Sequence, residues 1–101
     1  MTMLHTVNKS PFEKDSLESC IRCSTDGAAI LLIEDGVYVA TDGTSYSDMI
    51  KEAMSSKTIY ALQPDLEARG VAGKVIDGIK LVDYAGFVDL VAENDSVQSW
   101  L

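Results

Sequence analysis

Ala28-Ala29-Ile30-Leu31-Leu32-Ile33 is an unbroken apolar run of strand length, and it restricts the fold more than any other stretch. A strand that is apolar at every position must be covered on both faces, which is the environment of a central parallel strand. Parallel strands need long crossovers, so helices are required on both sides of the run in sequence. The neighbouring segments meet that demand: short apolar runs alternate with stretches of helical period, the pattern of a βαβ series. The expectation is an α/β fold, a small and mostly parallel sheet of four to five strands flanked by helices on both faces.

Met3 to Val7 reads as the first strand, closed by the turn Asn8-Lys9-Ser10-Pro11, where proline forbids a continuing ladder. A helix follows, capped by Asp15 or Ser16, with Leu17, Cys20, Ile21 and Ser24 on one face and Asp26-Gly27 as its stop. After Ala28 to Ile33 come Glu34-Asp35-Gly36, a short segment from Val37 to Ala40, and a second helix marked by Tyr46, Met49, Ile50, Ala53 and Met54. Lys57 to Leu62 is the third strand. Gln63-Pro64-Asp65 opens a third helical stretch that Gly70 and Gly73 weaken enough to break in two. Ile79 to Val82 is a fourth strand and Tyr84 to Ala92 a closing helix, with Phe87, Val88 and Val91 expected inward. Val97, Trp100 and Leu101 form an apolar end that either tucks back onto the domain or docks on a partner.

With 101 residues, no repeat and no linker composition, the chain is expected to be one domain over 1–101. Sixteen acidic and eight basic side chains give a net charge of -8. That charge repels phosphate backbones and anionic lipid heads, so no direct nucleic-acid partner is expected. No apolar run approaches the ~20 residues of a membrane span, and Met1-Thr2-Met3-Leu4-His5 lacks the features of a signal peptide. The expectation is a cytoplasmic protein whose two cysteines are reduced thiols.

In open α/β sheets, ligands gather beyond the carboxyl ends of the strands. Those places hold Asn8, Lys9 and Ser10, then Glu34, Asp35 and Gly36, then Gln63 and Asp65, then Asp83 and Tyr84. None is a histidine or cysteine. No G-x-G-x-x-G and no G-x-x-x-x-G-K-[ST] occurs, so no nucleotide cofactor is expected, and Glu34-Asp35 before a glycine reads as a solvated turn rather than a cation site.

Covalent chemistry is thereby confined to Cys20-Ile21-Arg22-Cys23. This C-x-x-C lies in the last turns of its helix, where the negative end of the dipole opposes the thiolate, unlike a redox pair at a helix N-terminus. Two thiols and one distant histidine, His5, do not make a zinc set, so no metal is expected. Cys20 is open to two readings. One makes it, together with Cys23, a small buried apolar side chain on the helix face; the other makes it an acceptor of persulfide sulfur, with Arg22 or Lys14 offsetting the dipole. His5 would serve as base to a thiol only within hydrogen-bond reach; its default role is packing in the first strand.

Four ordered blocks, Met3-Leu4-His5-Thr6-Val7-Asn8-Lys9-Ser10-Pro11-Phe12, Leu31-Leu32-Ile33-Glu34-Asp35-Gly36-Val37-Tyr38, Pro64-Asp65-Leu66-Glu67-Ala68-Arg69-Gly70 and Val82-Asp83-Tyr84-Ala85-Gly86-Phe87-Val88-Asp89-Leu90, resemble the DsrH/TusB family. The resemblance runs from Met3 to Leu101. It implies an accessory subunit of a DsrEFH/TusBCD-like heterohexameric sulfur relay complex. Its implied partners are two paralogous subunits (DsrE/TusD-like and DsrF/TusC-like) and a downstream sulfur-acceptor protein. In that family the established transfer cysteine belongs to the DsrE/TusD partner, in the loop after its third strand. Here that loop is Gln63-Pro64-Asp65, without cysteine.

DsrH-like members carry a cysteine in the first helix and TusB-like members tend to lack one. Cys20, with Ser16-Leu17-Glu18-Ser19 before it and the ending Val97-Gln98-Ser99-Trp100-Leu101, resembles the DsrH pattern. The resemblance thus implies dissimilatory sulfur oxidation, with Cys20 as a secondary sulfur acceptor. The alternatives are a TusB-like subunit supporting 2-thiolation of the tRNA wobble uridine, or a purely architectural subunit. A thiol-redox protein using Cys20 and Cys23 is a third, and Cys23 has no counterpart in the family pattern.

Overall fold

Apolar side chains at consecutive strand positions point to opposite faces, and the strands here supply a core to each. The computed structural model describes residues 3–9, 16–44 and 46–100. Five strands, β1 (Met3–Val7), β2 (Ala29–Leu32), β3 (Thr58–Leu62), β4 (Lys80–Val82) and β5 (Ser96–Trp100), form one sheet in the order β4-β3-β2-β1-β5. Every pairing is parallel. The fold is α/β, as expected.

Helices α1 (Ser16–Cys23), α2 (Ser47–Ala53) and α3 (Gln63–Ala68) cover one face. There Val7, Ile30, Leu32, Ile59 and Ala61 of the strands pack with Leu17, Cys20, Ile50, Ala53 and Leu66 of the helices. Each fully buried aliphatic group of this kind stabilises the fold by about 1.5–3 kcal/mol. Among the described residues, the other face is covered by α4 (Tyr84–Glu93), through Leu90 and Phe87 against Leu4, Ala29, Leu31, Ile33, Tyr60 and Val82. Asp83 caps this helix by accepting a hydrogen bond from the Gly86 N–H at 2.8 Å.

Two departures from the sequence reading, and one agreement with it, have physical causes. Residues 34–40 form one continuous 3-10 helix, where a solvated turn at Glu34-Asp35-Gly36 and a separate short segment from Val37 to Ala40 were expected. Gly36 lies so close to β1 that any Cβ would collide with the Val7 carbonyl oxygen. The third helical stretch is indeed broken: Gly70 at φ +69° ends α3, and a 3-10 turn follows at Ala72–Lys74. The closing helix, however, does not turn Val88 and Val91 inward. Both are exposed, and Phe87 and Leu90 take the sheet side.

The apolar end tucks back as a strand. β5 pairs with β1 along its length, from Met3 opposite Ser96 to Val7 opposite Trp100. Thr6 Oγ1 donates to Ser99 Oγ at 3.3 Å across the pair. Ser10, Pro11, Lys14, Asp15 and Leu101, given roles above, lie outside the described residues, as does the side chain of Ser16. Among the described residues, no helix is long and apolar enough to cross a membrane.

Candidate functional site

Spacing of three and four residues puts Leu17, Cys20 and Ser24 under α1, all buried, while Cys23 falls on the solvent side. The two thiols are therefore in different environments. Cys20 has no exposed surface, and burial, reinforced by the neighbouring Cys23, pushes its thiol up to about 12 against a small opposing effect of Lys57. At neutral pH the Cys20 thiol is therefore protonated. The helix end adds no compensation: the Cys20 carbonyl accepts from the Ser24 N–H at 2.9 Å, part of the negative pole of α1. In this conformation Cys20 is a core side chain. Cys23, expected to be buried beside it, is instead a free, accessible thiol, because three residues further along α1 turn it to the solvent side.

His5 is not brought to a thiol as a base. Its ring is buried, and Nδ1 accepts a hydrogen bond from Trp100 Nε1 at 3.0 Å, which requires the neutral imidazole. Burial, and then the charge of Lys57, lowers the His5 pKa from its ordinary value of 6.5. This histidine fastens β5 to β1.

Beyond the carboxyl ends of β1, β2 and β3 lies a network the sequence reading saw only in parts. Arg69, at the end of α3, donates through Nε to Asp35 Oδ1 at 3.0 Å and pairs with the same oxygen through Nη2 at 3.0 Å. Its Nη1 donates to the Asp65 carbonyl oxygen at 3.3 Å and stands 3.9 Å from Asp65 Oδ1. Asp65 Oδ2 in turn accepts from the Glu34 N–H at 2.7 Å. That bond holds Glu34 in the left-handed region, at φ +50°, where a non-glycine residue needs an outside hold. Asp35, read as solvated, is an ion-pair partner of Arg69. The arrangement clamps the β2 and β3 loops together, and the single Arg69 charge offsets part of the charge of Asp35 and Asp65. The one legible signal was the i,i+4 spacing of Asp65 and Arg69. Asn8, after β1, has a buried Oδ1 with no hydrogen-bond partner.

At the opposite end of the sheet, Ile21, Met49, Glu52, Ala53, Ser55, Ser56 and Lys57 line an open cleft of ≈ 310 Å³. Lys57 Nζ donates to Ser56 Oγ there at 3.3 Å, and neither cysteine contributes to the wall. Among the described residues no group of three or more His, Cys, Asp and Glu is placed to hold a metal ion. The third-strand loop runs directly into α3, with Gln63 Nε2 donating to Glu67 Oε1 at 3.0 Å. No nucleophile stands there.

Known proteins match this architecture over its length. The chain is 38% identical over 98 residues to Protein TusB of Escherichia coli K12, covering 97% of this chain and all of that protein. It is 37% identical over the same length to Protein TusB of Shigella flexneri. Among solved structures, the ychN protein from E. coli superposes with a TM-score of 0.83 at 16% identity, covering 98% of each chain. A protein of unknown function from Methanobacterium thermoautotrophicum gives 0.76 at 17% identity, covering 97% of this chain and 96% of that one. At such identities these two establish the fold alone. A family model described as DsrH like protein matches residues 9–97. The chain belongs to the DsrH/TusB family.

Proposed function

We propose that this chain is a TusB-type subunit of a sulfur relay complex that supports 2-thiolation of the tRNA wobble uridine, and that it works by docking rather than by its own nucleophile. The observation that carries the proposal is the full-length match to TusB proteins at 38% identity. Two structural facts support the docking role: the loop after β3 has no cysteine, and Cys20 is sealed in the core. The relay chemistry then belongs to the paralogous partner subunits, with this chain shaping the assembly in the cytoplasm.

The second reading, dissimilatory sulfur oxidation with Cys20 as a secondary sulfur acceptor, is favoured by one observation: a cysteine in α1, as in DsrH-like members. Its cost is physical. To be attacked or to attack, Cys20 has to leave the core and lose a proton held up to about 12.

Deleting the gene and measuring 2-thiouridine in hydrolysed tRNA by mass spectrometry separates the readings. Loss of the modified nucleoside is expected; an unchanged level with impaired sulfur oxidation assigns the chain to the second reading. Exposing the assembled complex to a persulfidated donor and mapping the added sulfur tests Cys20 directly. Label confined to partner subunits is expected, and label on Cys20 would overturn the docking-only role.

A further inference from the structure

Helix α4 is apolar over more of its circumference than the sheet uses. Its ten residues hold two charges, Asp89 and Glu93, one turn apart. Phe87 and Leu90 pack on the sheet. At 100° per residue the opposite side presents Ala85, Val88 and Ala92, with Tyr84 and Val91 along one border and Asp89 and Glu93 along the other. Tyr84 is 61% exposed and Val88 67%. A helix apolar nearly all round is the signature of one covered on both sides, and here one side faces water. Val97 of β5 is exposed on the same sheet face, extending the patch.

The charge pattern selects the occupant. From Leu81 to Leu101 the acids are Asp83, Asp89, Glu93 and Asp95, and there is no Lys or Arg. A second copy meeting this surface about a twofold axis would set acid against acid on a molecule of net charge -8. A chain whose apolar patch is bordered by lysine or arginine meets both demands at once. We propose that the outward side of α4, with Val97, docks this subunit onto a different protein chain, a relay subunit with an apolar, basic-rimmed face. The inference rests on the relay reading above and adds the surface and its complement.

The test is co-assembly of the full chain with its two paralogous chains, followed by size-exclusion chromatography with light scattering and by a binding titration. The wild-type chain is expected to co-elute with them and to run as a monomer alone. Val88→Glu, at an exposed position, is expected to weaken association by about tenfold or more with its thermal melt unchanged. Asp89→Lys with Glu93→Lys is expected to weaken it about tenfold and to remove the loss of affinity that rising salt causes in the wild type. If Val88→Glu assembles as tightly as the wild type, this surface is wrong while the relay reading stands. If the wild type does not co-assemble, both fall. A wild-type homodimer that Val88→Glu dissolves gives the surface to a second copy and overturns the proposal.

Discussion

The two faces of the sheet do different work. Under α1, α2 and α3 the side chains interlock around Ile30, Leu32 and Ile59, and the helices turn their remaining sides to solvent. Under α4 three buried residues, Leu4, Leu31 and Leu90, make up the centre of the contact, and the helix keeps Val88 and Tyr84 in water. The first face makes the chain fold. The second holds α4 in place and leaves apolar surface unused. The difference teaches that the apolar residues of this chain exceed what its own core needs, and that the excess is concentrated on one helix and the strand after it.

Substitutions can break that contrast or sharpen it. Ile30→Ala removes the centre of the closed face and is expected to cost about 2–5 kcal/mol in urea or guanidinium unfolding. A loss below about 1 kcal/mol would mean that the closed face is not the source of stability. Cys20→Ser places a hydroxyl where a buried thiol packs and is expected to cost about 1–3 kcal/mol. Cys23→Ser on the solvent side should stay within about 0.5 kcal/mol. Iodoacetamide should accordingly label Cys23 in the native protein and Cys20 only after unfolding. Equal labelling rates would show that α1 opens readily.

Trp100→Phe deletes the donor to His5 at the margin of the closed face and is expected to cost about 1 kcal/mol near neutral pH. The His5 pKa is lowered on folding, so between its folded value and 6.5 the unfolded chain binds a proton that the folded chain does not. Stability from this group is full above 6.5 and is lost as pH falls below it. The gap between wild type and Trp100→Phe should therefore shrink on acidification, because a protonated Nδ1 no longer accepts. A gap that is constant with pH would remove His5 from the account. The smallest effect belongs to the open face: Val88→Ala should change stability by no more than about 0.5 kcal/mol, and a larger loss would mean that α4 is packed on both sides within the chain itself.

Much of the frame was legible in the chain. β1 coincides with the expected strand residue for residue, the run from Ala28 contains β2, and Gly70 breaks the third helix where expected. Of the two cysteine environments one was read correctly: Cys20 is buried with Leu17 and Ser24, whereas Cys23, expected to be buried beside it, lies on the solvent side of α1. Four features escaped. β5, Ser-Val-Gln-Ser-Trp, is an edge strand exposed along most of its length, so it shows neither an apolar run nor a clean alternation. The orientation of α4 could not be read because periodicity locates an apolar stripe only when the other side is polar. The Trp100–His5 bond and the Arg69 clamp join residues 95 and 34 positions apart, beyond the reach of any local pattern.

The place of β5 beside β1 also governs the order in which the molecule is completed. Thr6 and Ser99 face each other across the sheet and are separated by 93 positions in the chain. The crossovers from β1 to β2 and from β2 to β3 close over far shorter distances, so the first three strands can pair while the remainder is still being synthesised. Throughout that interval one edge of β1 has open backbone donors and acceptors, the condition under which strands of different molecules join. A ribosome making this chain thus exposes a sticky margin from the first strand onward. For β1 that exposure ends only when β5 arrives to cover it, and the margin of the sheet then passes to β5 itself.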